Sequence, residues 1–154
     1  MIRATALVLV LSAGAGAAQT CAEDHVTVIG DFGRARFSVA IADDEAERAQ
    51  GLMNVPEMPT MTGMLFVYEA PRPASFWMRN TLIPLDMLFA GADGTILNVH
   101  PRAVPLDETP IFGGDAVQYV LEINGGLAAR LGIEAGDVLQ HPAIGPEAAA
   151  PCEG

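Results

Sequence analysis

Apolar and polar residues alternate along most of this chain with the period of two expected of a half-buried β-strand. Glycine and proline break the alternation at short intervals. His25–Gly30 and residues 35–42 read as two such strands, joined by a turn at Asp31-Phe32-Gly33. Asp44 then stands as an N-cap with Glu47 three residues on, a capping box, and Gly51 closes a short helix as its C′ residue. Residues 55–63, marked by Pro56 and Pro59, form a loop. Residues 64–69, 75–78 and 86–91 read as three further strands, and Asp93-Gly94 turns a hairpin into residues 95–100. Residues 101–114 make a long irregular connection. Residues 116–123 are a strong strand, Asn124 caps a short helix ending at Gly132, and residues 138–141 are the last strand. Seven or eight short strands with two short helices and no internal repeat predict a mainly β, β-rich α+β fold: a compact sandwich or barrel-like single domain.

The first eighteen residues follow another pattern. Arg3 gives a short positive start, residues 4–11 an apolar run, and Ala15-Gly16-Ala17-Ala18 a set of small-x-small sites. That order predicts a secretory signal peptide over residues 1–18, cleaved near Ala17 or Ala18. Its apolar run is too short to span a bilayer as a stable helix, and no later stretch reaches the ~18 continuous apolar residues that a span requires. The expected mature protein is periplasmic or secreted, without a transmembrane anchor. It divides into an N-terminal tail over 19–25, one globular domain over 26–142 and a C-terminal tail over 143–154. That length suits a single core.

Composition narrows the partners. Nineteen acidic residues oppose eight basic ones, the net charge is −11, and every basic residue is an arginine. A phosphate backbone is repelled by such a surface, so nucleic acid is not an expected partner; an unidentified small molecule or an envelope protein is. Two cysteines, Cys21 and Cys152, sit near the two ends of the mature chain. An even count in an exported chain favours a disulfide, worth ~4–5 kcal/mol for so long a loop in the chain-entropy model. A lipid anchor on Cys21 is disfavoured, because Ala18-Gln19-Thr20 lacks the small residue that precedes such a cysteine.

Candidate chemistry concentrates in Ser75-Phe76-Trp77-Met78-Arg79-Asn80-Thr81-Leu82-Ile83-Pro84-Leu85-Asp86, which holds the only tryptophan. Polar groups set that densely among apolar ones must be hydrogen-bonded, exposed or used. In a strand, Phe76 and Met78 face one side while Trp77 and Arg79 face the other, setting a guanidinium beside an indole. Asp86 is placed to accept from backbone N–H groups or to pair with Arg79. One reading is a ligand pocket lined by Trp77, Arg79, Asn80, Asp86 and Glu122. The other is a structural knot in which a buried Arg79–Asp86 pair and Asn80 clip a turn to the sheet.

Catalytic constellations are sparse. No serine sits in a nucleophile elbow, no free cysteine is set beside a histidine, and His25, His100 and His141 lie too far apart for zinc-ligand spacing. No cofactor motif is present, and the chain leans away from being an enzyme. A hydrolase or lyase using Asp86 and Glu122 as acid and base is the alternative. A second is copper: Met58, Met61 and Met64 recur every three residues in a proline-rich loop, and thioethers select Cu(I). Core filling is the ordinary use of such methionines.

Several stretches occur in a specific order: Glu47-Arg48-Ala49-Gln50-Gly51-Leu52-Met53, Gly63-Met64-Leu65-Phe66-Val67, residues 75–86, Asp93-Gly94, Val120-Leu121-Glu122 and Gly132-Ile133-Glu134-Ala135-Gly136-Asp137. Together they resemble the domain of unknown function 192 family, over about residues 26–141. The resemblance implies a compact, mostly exported domain with a β-sandwich core and small helices, and no established reaction, cofactor or substrate. That family often carries an aromatic residue and an arginine just after Gly-Leu-Met; Asn54 and Val55 stand there instead, which weakens an anion site depending on that arginine. Residues 126–139 are also similar to the helix–turn–strand of PDZ domains. No carboxylate-binding loop precedes a suitable strand, so peptide capture by strand addition is not expected.

Overall fold

The computed structural model describes residues 20–152. The expected signal peptide over residues 1–18 lies outside the described residues. Seven strands form one curled sheet: β1 (His25–Gly30), β2 (Gly33–Ala42), β3 (Thr62–Phe76), β4 (Leu85–Ala90), β5 (Ile96–Ala103), β6 (Ile111–Asn124) and β7 (Val138–Gln140). Two short helices, α1 (Glu45–Gln50) and α2 (Leu127–Leu131), accompany them. The strand order is β5-β4-β6-β3-β2-β1-β7. A bridge between Thr95 and Val138 brings the two edges together at one end, so the sheet curls into a half-barrel. The mainly β, barrel-like expectation is met.

Alternation along each strand sorts the apolar side chains onto two faces. One core draws on every strand, with Val28, Phe37, Leu65, Leu88, Ile96, Leu121 and Leu139 among its members, and is plugged by Leu127 and Ala128 of α2. The second lies on the opposite face of β2 to β6 and is built from Phe66, Met87, Phe89 and Val120 with Leu52 and Met78. Burial of each large apolar side chain is worth ~1.5–3 kcal/mol, and Phe37, Phe66 and Phe89 are fully enclosed.

The single parallel pairing shapes the second face. β2 runs parallel to β3, Ser38 opposite Thr62 through Ala42 opposite Phe66, so the chain crosses over between them through α1. The caps of α1 follow the sequence. Asp44 accepts from the Glu47 backbone N–H at 2.8 Å, and Gly51 at φ 49° donates to the Glu47 carbonyl. The reciprocal arm reaches one residue further back, Glu47 Oε2 accepting from the Asp43 N–H at 3.3 Å.

Three expectations change. The strands foreseen at 64–69 and 75–78 are one strand, β3, which runs through Pro71 and Pro73. Beyond Phe66 it pairs only with β6, with register shifts between Val67 and Ser75, and an unpaired strand side tolerates prolines. The irregular 101–114 connection is shorter than expected, because β5 extends to Ala103 and β6 starts at Ile111. Asn124 does not cap α2: its side-chain amide donates to the Met58 and Pro59 carbonyls at 3.1 and 3.0 Å, and the N-cap position belongs to Gly126.

The two ends of the described chain are tied together. Cys21 and Cys152 form a disulfide with Cα atoms 5.7 Å apart. Beside it, buried His141 holds Glu23 and Ala143: Nε2 donates to the Glu23 carbonyl at 2.9 Å and Nδ1 accepts from the Ala143 N–H at 3.1 Å. Residues 143–152 of the expected C-terminal tail are docked on the domain. Ala149 N–H donates to the Asp93 carbonyl at 2.8 Å, and Gln140 donates to the Pro151 carbonyl at 3.0 Å. Among the described residues, no helix is long and apolar enough to cross a membrane.

Candidate functional site

β3 and β6 set the floor of the site. Met64 of β3 and Met87 of β4 both lie opposite Glu122 of β6, which puts this carboxylate in the middle of the sheet on the α1 side. Gly63 allows that approach: a Cβ there would collide with the Glu122 backbone carbonyl. Glu122 is 4% exposed. Burial pushes its carboxyl up to about 8, and no charge or hydrogen bond contributes to the shift. Every fully enclosed side-chain polar atom among the described residues has a partner. A Glu122 oxygen without one therefore reaches the surface of the cleft above it.

That cleft has a volume of about 200 Å³. α1 and the turn after it, from Arg48 to Met53, form one wall; Phe66, Tyr68 and Phe76 form the other; Trp77, Arg79 and Thr81 close the lip. Phe76 meets Phe66 edge to face with ring centroids 5.1 Å apart, which fixes the aromatic wall. Tyr68 is held between arginines, with the guanidinium carbons of Arg48 and Arg72 at 5.0 and 5.1 Å from its ring centroid. Burial pushes the Tyr68 hydroxyl above its ordinary range. Arg48 itself is a structural clip, donating to the Asp43 carbonyl, to the Val67 carbonyl at 2.8 Å and to Glu69 at 3.3 Å.

The five residues expected to share a pocket separate into three groups. Trp77, Arg79 and Glu122 line the cleft. Trp77 is 46% exposed, and the Arg79 guanidinium stacks on it 5.4 Å from the ring centroid, on the side away from buried Met78. Asn80 lies outside the lining. It takes a left-handed conformation at φ 52°, and its carbonyl accepts from the Asn54 N–H at 2.8 Å, tying the lip to the turn after α1.

Asp86 lies elsewhere. It pairs with Ile123 across the β4–β6 ladder, one position from Glu122, and so projects from the opposite face of the sheet. There it accepts from the backbone N–H groups of Arg102, Gly126 and Ala128, each at 2.8 Å. The Arg79–Asp86 pair is therefore corrected. Of its two expected partners Asp86 takes the backbone, and Arg79 sits at the surface, 3.5 Å from Glu108. An acid–base pair of Asp86 with Glu122 is corrected too, because the sheet stands between them.

Copper finds no support in the placement of the methionines. Met58 and Met64 pack against the second core as filling, and Met61 is 38% exposed. Among the described residues, no group of three or more His, Cys, Asp or Glu side chains is placed to hold a metal ion. Sequence reasoning missed Arg48, Tyr68 and Arg72 as site residues. Arg48 belongs to the helical family segment quoted above, Tyr68 lies in the foreseen 64–69 strand, and Arg72 stands between Pro71 and Pro73, where the strand pattern is broken.

The comparisons agree with this architecture. The sequence profile of DUF192, described as an uncharacterised ACR, matches residues 27–141. A protein of unknown function from Novosphingobium aromaticivorans, solved by crystallography, is 50% identical with a TM-score of 0.73, covering 75% of this chain and 82% of that one. A putative transcription regulator from Sinorhizobium meliloti is 42% identical with a TM-score of 0.76, covering 80% of this chain and 97% of that one. No curated protein matches. With most of its described residues inside the matched span and two solved structures sharing its fold, the chain belongs to the domain of unknown function 192 family.

Proposed function

We propose that this chain is an exported binding module that holds a small organic ligand in the cleft beneath α1, with Glu122 as its buried polar anchor. One observation carries the reading: a protonated carboxyl without a protein partner opens onto an aromatic-walled cleft. A neutral carboxyl opening onto such a cleft offers one donor and one acceptor, the kind of placed polar group that orients a ligand between apolar walls. Export rests on the charged, apolar and small-residue order of residues 1–18, together with a Cys21–Cys152 bridge that suits an oxidising compartment. The regulator role named for the Sinorhizobium meliloti relative does not transfer easily, since a net charge of −11 disfavours nucleic acid.

Trp77, the only tryptophan, stands on the lip and reports on the cleft directly. A small-molecule library screened by Trp77 emission should yield compounds whose saturable signal disappears in Glu122→Leu. Their amide NMR shifts should map to α1, β3 and β6. A library without such a compound, or shifts mapping elsewhere, would remove the reading.

A further inference from the structure

The few cations of this acidic chain are unevenly placed. Three of its arginines surround one groove. Arg48 and Arg79 line the cleft, while Arg48 and Arg72 line an adjoining hollow that meets the cleft at Ala49, Tyr68 and Ser75. The carboxyls in these linings are Glu122, neutral below about pH 8, and Glu45 at the outer end. Arg48 spends its donors on the protein, while the other two are exposed. Arg72 meets no carboxylate within 4.0 Å among the described residues, though, after a backbone hydrogen bond and Arg48, its charge helps hold the Glu69 carboxyl below its ordinary range, and Arg79 has the 3.5 Å contact to exposed Glu108. An anion approaching a chain of net charge −11 is repelled over most of the surface, so two exposed arginines beside an aromatic wall make this groove the exception.

We propose that the ligand is a small ring-bearing anion: a carboxylate on an aromatic or heteroaromatic ring, with a hydrogen-bonding group at the end opposite the charge. The proposal rests on the cleft being a ligand site. The ring lies against Phe76 and Tyr68, the carboxylate faces Arg72 and Arg79 at the rim, and the far end meets the Glu122 carboxyl. Size agrees, since a cavity of ~150 Å³ accepts benzene and this cleft of about 200 Å³ leaves room for ring substituents. A neutral floor matters as much as a positive rim, because an ionised Glu122 would repel the ligand it anchors.

Three para-hydroxyphenyl probes of different charge test this: para-hydroxybenzoate, para-hydroxybenzamide and para-hydroxybenzylamine, titrated against the full-length mature protein by Trp77 emission and amide NMR. The acid should bind at least tenfold tighter than the amide, and the amine weakest. Arg72→Ala with Arg79→Ala should erase the acid's preference over the amide, whereas Arg130→Ala, at an exposed position of α2, should not. Raising the pH from 6 to 8.5, below the range where the probe's own phenol ionises appreciably, should weaken the acid several-fold in the wild type and much less in Glu122→Gln. Equal binding of all three probes would overturn the anion assignment while leaving the cleft a ligand site. No cleft response to any of them at millimolar concentration would overturn the ring-acid class, and the library screen above would then decide separately whether the cleft binds ligands.

Discussion

Asp86 caps helix α2 from a strand 42 residues away: its Oδ2 accepts the Ala128 N–H at 2.8 Å, while Oδ1 accepts from Gly126 and Arg102. The helix has no side-chain cap of its own, since its N-cap is Gly126 in the left-handed region. One buried carboxylate thus fixes the start of α2, the start of β4 and the left-handed residue Arg102, φ 51°. Asp86→Ala strands three N–H groups, each costing ~1–3 kcal/mol when left unpaired and buried. The variant should lose about 4 kcal/mol or more in urea unfolding, and Asp86→Asn, which keeps one acceptor oxygen, should lose less. A loss below about 1 kcal/mol would show that water replaces the carboxylate.

Glu122 gives the opposite result. Its carboxyl sits at about 8 when folded against an ordinary 4.5. Between those values the unfolded chain has released a proton that the folded chain keeps, so stability falls as pH rises through this window. Glu122→Gln removes the effect. It should exceed the wild type by about 2–4 kcal/mol at pH 7.5, with the difference shrinking towards pH 4. Urea midpoints measured across pH 4–9 test this, and parallel curves for the two proteins would contradict it.

His141 titrates with the reverse sign. Burial holds its imidazole below the ordinary 6.5, with the Glu23 carbonyl opposing the shift. As pH falls below about 6.5 the unfolded chain takes up a proton before the folded one does, and stability declines until the folded value is passed. The proton would also occupy Nδ1, which accepts from Ala143. The His141 ring resonances should titrate below those of a free histidine, and His141→Gln should flatten the acid limb of the stability curve.

Gly63 is sensitive for a steric reason. A methyl group there meets the Glu122 carbonyl, a backbone atom that cannot swing away. Gly63→Ala should cost about 2–3 kcal/mol and shift the amide resonances of Ile123, its partner across the ladder, and of neighbouring Glu122.

Local signals were legible and long-range ones were not. β1 has the bounds that its alternation predicts, and the Asp44 and Gly51 caps of α1 are formed by residues within one turn of each other. β3 was hidden because Pro71 and Pro73 are punctuation in most contexts; they are tolerated here only because β2 stops pairing at Phe66, which no local window reveals. Asn124 misled for a related reason. It has the chemistry of a cap, but the α2 N–H groups were already taken by a residue on another strand. At the site, Trp77 and Arg79 were found by composition, whereas Tyr68 joins them, and Arg72 lines the adjoining hollow, only after the parallel β2–β3 crossover lays α1 across the sheet. Asp86 and Glu122 looked alike as sequence, and one step in strand register separates a helix cap from a cleft floor.

The bridge between Cys21 and Cys152 closes 131 positions of chain into a covalent ring that contains every strand and both helices. A protease that cuts the exposed stretch around Val104 and Leu106 would therefore open the ring without dividing it. The product is two peptides held as one covalent molecule by the bridge, with new ends between β5 and β6, and its halves stay at high effective concentration for refolding.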